Sequence, residues 1–394
     1  MSLAAHLLLF ALALPVSAMC VYLLLLTLLS RAPPALAPSS RRQHFDVIVP
    51  AHNEAAVIQR VLASLRQLDW PADGMRLMVV ADNCSDATAE LARAAGALVL
   101  ERFDTRRRGK GHALELAFQA SKDHGWADAV VVVDADSEVS VNLLEVFASQ
   151  LERGAEVMQA HHGVLNAMAS WRTRLLAIAM TTFHRVRSRA RERLQLSCGL
   201  RGNGWCITHR LLNRVPYRAF SLAEDIEYGI DLGLAGQRVH YADQAQVAGL
   251  MVSGEQAARS QRQRWESGRF QLVRLRTLPL LKAAISSGSR VCLDLALDLL
   301  VPPLSYVALN VALLIGLAGA ASLWDPTLQP WLWLGLMCAA SLCLHVLRGW
   351  QLSGVGWRGL LDLLRAPWFV LWKLLLMLRT RDSAEWVRTQ RETS

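Results

Sequence analysis

What most constrains the fold of this chain is the placement of its apolar residues. Residues 3–29 are almost wholly apolar, with one mild interruption at Pro15, and apolar residues crowd again after residue 291, whereas the middle has an ordinary globular mixture. At the helical rise, residues 3–29 span about 40 Å, enough to cross a bilayer with some tilt. A cleaved signal peptide is the rival reading, with Ala35-Leu36-Ala37 as its cleavage site. Against it, the apolar core is too long and no basic region precedes it, so a retained anchor over 1–30 is expected. Arg31, Arg41 and Arg42 follow this segment and no charge precedes it, which places its C-terminal side in the cytoplasm.

The C-terminal part reads similarly. Residues 271–301 are expected to form amphipathic helices at the bilayer surface, with Asp294 and Asp298 on one helical face. Pro302-Pro303 breaks the chain, and 304–323 and 331–347 are spanning candidates within 302–350. The link between them has no Lys or Arg, so it faces away from the cytoplasm. Asp362, Arg365, Pro367 and Lys373 interrupt residues 359–378, so 351–394 reads as an interfacial or re-entrant helix and a basic tail. Trp324, Trp331, Trp333, Trp350, Trp368 and Trp372 read as interfacial anchors.

After a linker over 31–44, strands and helices alternate from Phe45. Strands are expected at 45–49, 77–81, 97–100 and 129–133, and helices at 57–68, 88–95 and 110–122, an α/β pattern with a mainly parallel sheet. The run Ala129-Val130-Val131-Val132-Val133 suits a strand buried on both faces. It stops at Asp134-Ala135-Asp136, where a strand of an open sheet reaches its ligand-binding edge. Two hard carboxylates there suit a divalent cation shared with a phosphorylated substrate, or else a turn that caps the next helix. Further on, Arg172, Arg174, Arg185, Arg187, Arg189, Arg191 and Arg193 recur in steps that scatter them around a helix, which predicts a solvated or membrane-surface helix.

Other strand ends carry polar clusters. In Pro50-Ala51-His52-Asn53-Glu54, Glu54 either meets a base or ribose or caps a helix. Asp82-Asn83-Cys84-Ser85-Asp86 is turn chemistry in a place of interest. Arg107-Arg108-Gly109-Lys110-Gly111 opens a helix, a place to meet phosphate or a solvated basic loop. Glu224-Asp225 opens another helix, where an acidic pair is commonly a cap. Gln261, Arg264 and Trp265 share one helical face at i, i+3 and i+4.

In this order the motifs resemble the family 2 glycosyltransferases with a GT-A fold. The resemblance is to their membrane-integrated branch, which includes cellulose, hyaluronan and poly-N-acetylglucosamine synthases and ceramide glucosyltransferase. It covers about residues 45–270 and extends weakly through Trp386-Val387-Arg388-Thr389. It implies a cytosolic catalytic domain in which Ala51, Glu54, Asp82, Lys110 and Asp134 hold the nucleotide sugar. Asp134 and Asp136 would bind Mg or Mn, and Asp225 beside Glu224 would be the catalytic base. Gln261, Arg264 and Trp265 would close over the diphosphate and acceptor, near a Gly202-Asn203-Gly204 loop. Ala223 stands where the family has Thr, and Asn83 where it has a second Asp.

The reaction implied is a single displacement with inversion at the anomeric carbon, from a UDP-sugar to a growing exopolysaccharide or other glycan. One-sugar transfer to a lipid is the alternative. Three confident spans are few for a monomeric export channel, which leaves a homo-oligomer or partner subunit to complete one. The resemblance further implies the bacterial inner membrane. The net charge of +9 fits anionic lipid and a nucleotide diphosphate. No basic patch interleaved with aromatics points to nucleic acid. Seven cysteines without a CxxC pair argue against a disulfide framework, and Cys198, Cys206, His209 and His161-His162 match no usual zinc spacing. A receptor or scaffold that had lost catalysis would have eroded acidic motifs, and these are intact.

Overall fold

The computed structural model describes the backbone of residues 2–251 and 255–365, with side chains at 3–251 and 266–365. The side chains of Gln261, Arg264 and Trp265 lie outside the described residues. So do the end of the 359–378 segment, Trp368, Trp372 and the Trp386-Val387-Arg388-Thr389 tail.

In chain order the elements are α1 (Ser2–Leu28), β1 (Phe45–Ala51), α2 (Ile58–Arg66), β2 (Met75–Asp82), α3 (Thr88–Ala94), β3 (Leu98–Arg102), α4 (Lys110–His124), β4 (Ala129–Val132) and β5 (Ser137–Val139). Next come α5 (Leu143–Glu152), β6 (Val157–Val164), α6 (Trp171–Thr181), a π-turn (Thr182–Val186), α7 (Arg187–Arg193), β7 (Trp205–Thr208), α8 (His209–Arg214), α9 (Glu224–Leu234) and β8 (His240–Gly249). The described chain closes with α10 (Glu255–Ser287), α11 (Arg290–Leu300), α12 (Leu304–Ser322), α13 (Gln329–Ser353) and α14 (Gly356–Asp362). They form two compact units. One comprises Met1–Arg31, Met168–Ala190 and the described part of Leu297–Trp386, and the other Ala32–Ala167 and Arg191–Ala296.

The second unit holds one eight-stranded sheet in the order β3-β2-β1-β4-β7-β6-β8-β5. β1, β2, β3 and β4 pair in parallel, and β7 then runs antiparallel to β4 and β6, so the sheet is mixed. The apolar run of β4 is fully buried, and alternate residues serve different cores. Val131 and Val133 pack with Val47 and Val49 among Leu62 and Leu65 of α2 and Phe147 of α5. Val130 and Val132 pack with Ile48 among Leu114 and Phe118 of α4 and Tyr228 and Leu232 of α9. Helices on both faces are why this strand is apolar at every position instead of alternating.

In the first unit, α1, α12 and α13 share an apolar core that includes Leu9, Val16, Leu23, Val311, Leu314 and Leu342. Three segments are long and apolar enough to cross a membrane: Leu3–Leu28, Leu304–Ser322 and Pro326–Ser353.

The basic stretch departs from expectation. Arg187, Arg189 and Arg191 are only 4%, 7% and 1% exposed, not solvated. For Arg187 and Arg191 the reason lies about a hundred residues away. Arg191 Nε donates to Asp294 Oδ2 at 2.9 Å and Arg187 Nη1 to Asp298 Oδ1 at 3.4 Å. Both partners in each set are four residues apart, so two buried cations meet two buried carboxylates in register. α10 keeps an amphipathic character, with Leu275, Leu278 and Ile285 exposed and Leu272 and Leu280 buried.

Candidate active site

β2, β1 and β4 are parallel neighbours, so their C-terminal ends open on one edge of the sheet, where open α/β folds bind ligands. β1 and β2 each run into an asparagine with left-handed backbone, Asn53 at φ 56° and Asn83 at φ 50°. Asparagine tolerates that conformation, and it ends the strand abruptly. The two turns are laced together. Ser85 N donates to Asn53 Oδ1 at 2.7 Å, Glu54 N donates to Thr88 Oγ1 at 2.8 Å, and His52 Nδ1 lies 2.7 Å from the Asp82 carbonyl oxygen. Ala51 is buried beneath them.

Asp82 is buried, and its Oδ1 accepts from Arg102 Nη1 at 2.7 Å and from Asn83 Nδ2 at 2.9 Å. Asn83 thus uses its amide to support the carboxylate before it. Arg102 also reaches Asp104, whose carboxyl is held below its usual range by hydrogen bonds from the Arg107 backbone and guanidinium.

At the end of β4, Asn203 braces the acidic turn. Asp134 N donates to Asn203 Oδ1 at 3.0 Å, and Asn203 Nδ2 donates to Ser137 Oγ at 2.7 Å. Ser137 Oγ in turn donates to Asp136 Oδ1 at 3.2 Å. Asn203 is therefore committed to the Asp134–Asp136 turn. Gly204 is committed to the sheet: its N–H donates to Val132 O, and a Cβ there would run into Val247.

Lys110, the first residue of α4, joins these parts. Its Nζ lies 2.5 Å from Asp134 Oδ1 and 3.8 Å from Glu224 Oε1, and it donates to the Gly202 carbonyl. Gly202 has φ 78°, and a Cβ there would sit 3.3 Å from Asp225 Oδ2. Glu224 and Asp225 form the first turn of α9, where the helix dipole favours negative charge. Burial, with Asp225 adding to it, pushes the Glu224 carboxyl up to about 7 against the pull of Lys110. Burial likewise raises Asp225 above the usual carboxylate range, with Lys110 and Arg201 opposing. On Lys110 burial works against the charge, but Asp134 and Glu224 outweigh it and its pKa rises. A lysine held charged among carboxyls of raised pKa is an arrangement typical of acid–base chemistry.

The structure thus brings together Lys110, Asp134, Gly202, Glu224 and Asp225, with Asp136 and Asn203 attached through Ser137. Ala51, Glu54 and Asp82 are at the adjoining strand ends. Arg102, Ser137, Arg201 and His162 escape the motif reading. Arg201 is buried beside Gly202, with its N–H on Gln159 Oε1 at 2.8 Å and its Nη2 on the Cys198 carbonyl at 2.8 Å. Burial lowers the pKa of His162, with the Asp134 charge acting the other way. Adjacency to Asp82 on the neighbouring strand pattern, and to Gly202, is the signal that could have found the two arginines. Burial also pushes the Cys198 thiol up to about 12 and raises Cys206, so neither offers the thiolate a metal prefers.

Residues 42–268 match the family model described as "Glycosyltransferase like family 2". The chain belongs to that family. Among its relatives, a probable glucomannan 4-beta-mannosyltransferase 14 from Arabidopsis thaliana is 24% identical over 264 residues, covering 63% of this chain and 49% of the relative. The probable glycosyltransferase YdaM of Bacillus subtilis is 25% identical over 206 residues, covering 50% of this chain and 48% of the relative. The cellulose synthase catalytic subunit [UDP-forming] of Pseudomonas fluorescens is 23% identical over 264 residues, covering 63% and 34%. The chain thus spans about half the length, or less, of these relatives. In fold it is similar to the mannosyltransferase PcManGT from Pyrobaculum calidifontis, solved with GDP-Man and Mn2+. The TM-score is 0.51 at 19% identity, over 86% of this chain and 98% of that one. The catalytic unit is a GT-A fold.

A divalent cation fits the donor set at the end of β4. Among the described residues no three His, Cys, Asp or Glu side chains converge as a complete metal cage. Mg2+, however, is commonly held by one or two carboxylates with substrate phosphates completing the shell. Asp134 and Asp136, on a turn braced by Asn203, supply that partial set of hard oxygens.

Proposed function

We propose that this chain is an inverting glycosyltransferase that moves a sugar from a UDP-sugar to a growing exopolysaccharide or related glycan at the membrane. The single observation that carries the reading is the convergence on Lys110 of Asp134, Gly202 and Glu224, with Asp225 beside Gly202. Four separate stretches of chain meet here, three of them bringing charged side chains and the fourth the Gly202 carbonyl, which supports a site for a departing diphosphate and an attacking hydroxyl. The relatives named as a probable glucomannan 4-beta-mannosyltransferase and as a UDP-forming cellulose synthase catalytic subunit support the substrate class.

In this reading Ala51, Glu54 and Asp82, with Asp82 oriented by Arg102, bind the nucleoside. Asp134 and Asp136 would hold Mg or Mn, which supplies Lewis-acid stabilisation of the departing diphosphate. Asp225 takes the proton from the acceptor hydroxyl as its oxygen attacks the anomeric carbon. The new C–O bond forms as the bond to the diphosphate oxygen breaks, and the nucleoside diphosphate leaves with the electron pair. Lys110 holds the pocket's negative charge in balance before and after donor entry. Gln261, Arg264 and Trp265 are assigned to the diphosphate and acceptor, and Gly202 borders the attacking hydroxyl. Arg31, Arg41, Arg42 and Arg348 support a catalytic unit on the cytoplasmic side, and we propose the bacterial inner membrane as its site.

One observation favours a second reading, transfer of a single sugar to a lipid. Three candidate spans among the described residues are few to wall an export channel, so polymer export requires a second copy or a partner subunit. Incubating membranes that carry the full chain with labelled nucleotide sugars and Mg2+ or Mn2+, then sizing the product, tests both. A ladder or polymer supports the glycan reading, a single organic-soluble product supports the lipid reading, and no incorporation from any donor contradicts both.

A further inference from the structure

α9 carries Glu224 and Asp225, and α10 carries the positions 261, 264 and 265. The two helices meet at two places. At the first, Gly268 is buried, and a Cβ built on it would lie 3.1 Å from Ala223 Cβ, 3.2 Å from Ala223 N and 3.3 Å from the Leu222 carbonyl carbon. Two of these three atoms are backbone, so no side-chain movement can make the room. At the second, about two turns further along α10, Arg276 grips α9 with both arms of its guanidinium. Its Nη2 donates to Glu227 Oε1 at 3.2 Å and its Nη1 lies 3.3 Å from Asp231 Oδ1. The other oxygen of Glu227 accepts from Ser221 N at 3.0 Å, so the same pair also holds the loop that leads into the acidic turn. Glu227 and Asp231 are one helical turn apart, which matches the fork of one guanidinium.

Helical phase ties this contact to the catalytic residues. Positions 261, 264, 265, 268 and 272 recur at i, i+3, i+4, i+7 and i+11, one stripe of a 3.6-residue helix. Gly268 faces Ala223, the residue immediately before Glu224, and Leu272 on the same stripe is buried. Positions 264 and 265 share that stripe, one turn along α10 from Gly268.

We infer that Gly268 and Arg276 are positioning residues, which fix the register of α10 on the helix that carries Glu224 and Asp225. The glycine sets how closely the helices approach, and the arginine sets how far one slides along the other. Neither touches a reacting atom. This also accounts for Ala223: a small residue at that position lies against the α10 backbone at Gly268. The inference rests on the transferase reading for its kinetic test, and on the helix contact alone for its structural one.

The test uses the full chain in detergent or lipid nanodiscs. Gly268→Val is expected to lower kcat about 100-fold, the scale for displacing a catalytic group by about 1 Å, while the dissociation constant of the nucleotide sugar stays unchanged. Gly268→Ala is expected to lower kcat less than Gly268→Val, because its single methyl asks less of the facing backbone. Arg276→Gln should lower kcat and Arg276→Lys restore part of it, again without weakening donor binding. In parallel, hydrogen exchange should quicken over residues 221–228 and 266–280 in Gly268→Val and nowhere else in the catalytic unit. Wild-type kcat in Gly268→Val, or a loss of donor binding that tracks the loss of kcat, would overturn the inference. If the wild-type chain transfers no sugar at all, the transferase reading fails, and the exchange data decide the clamp: unchanged exchange overturns it and localised quickening supports it.

Discussion

The Lys110 ammonium stands 2.5 Å from Asp134 and 3.8 Å from Glu224, a single cation serving the Asp-x-Asp turn and the acidic start of α9 together. Its charge favours the ionised form of both Glu224 and Asp225. In the proposed reaction Asp225 must be unprotonated to accept a proton, so the rate is expected to rise with pH through the acid limb. Without the ammonium both carboxyls hold their protons to higher pH. Lys110→Met is therefore expected to move the acid limb of the pH–kcat/KM profile in the alkaline direction. An unmoved or acid-shifted limb would contradict the arrangement.

Asp82, itself buried, is held at 2.7 Å by the half-buried Arg102, at the strand ends where the nucleoside is proposed to bind. A hydrogen bond to a charged group contributes about 1.5–3 kcal/mol, so losing it weakens binding about tenfold or more. Arg102→Met is expected to raise the donor KM by that factor with little change in kcat, as measured by initial rates over a range of donor concentration.

Asn203 touches both ends of the acidic turn, through Asp134 N and Ser137 Oγ. Groups that orient metal ligands commonly change metal affinity about 10–100-fold when removed. Asn203→Ala should require correspondingly more Mn2+ or Mg2+ for half-maximal activity. Titration of the activity with cation measures it, and an unchanged requirement would separate Asn203 from the metal site.

Arg191 and Asp294 are a buried ion pair. Breaking such a pair by removing one partner costs about 3–5 kcal/mol, whereas replacing both with apolar groups is often close to neutral. Arg191→Met should lower the unfolding temperature in detergent markedly, and the double variant Arg191→Met/Asp294→Leu should recover most of the loss.

How much of this was legible in the sequence depended on whether its cause was local. The strand at 129–133 and its acidic end could be read because burial on both faces leaves an uninterrupted apolar run. The strand–helix alternation and the three segments long and apolar enough to cross a membrane could be read from periodicity and length. Arg187 and Arg191 were misjudged because the spacing of like charges says nothing about counter-charges at Asp298 and Asp294, about a hundred residues on. Arg102, Ser137 and Arg201 went unnoticed because each acts through a neighbour in space, and Asn203 was noticed for another role than the brace it provides. Gly268 carries no chemical signal of its own; its meaning lies in the backbone it is pressed against.

The most direct test of the account is sugar transfer by Asp225→Asn, measured beside its affinity for the nucleotide sugar. The substitution keeps the size of the side chain and removes its capacity to take a proton. The account predicts that labelled-sugar incorporation is abolished while the donor still binds. Incorporation at the wild-type rate would contradict it.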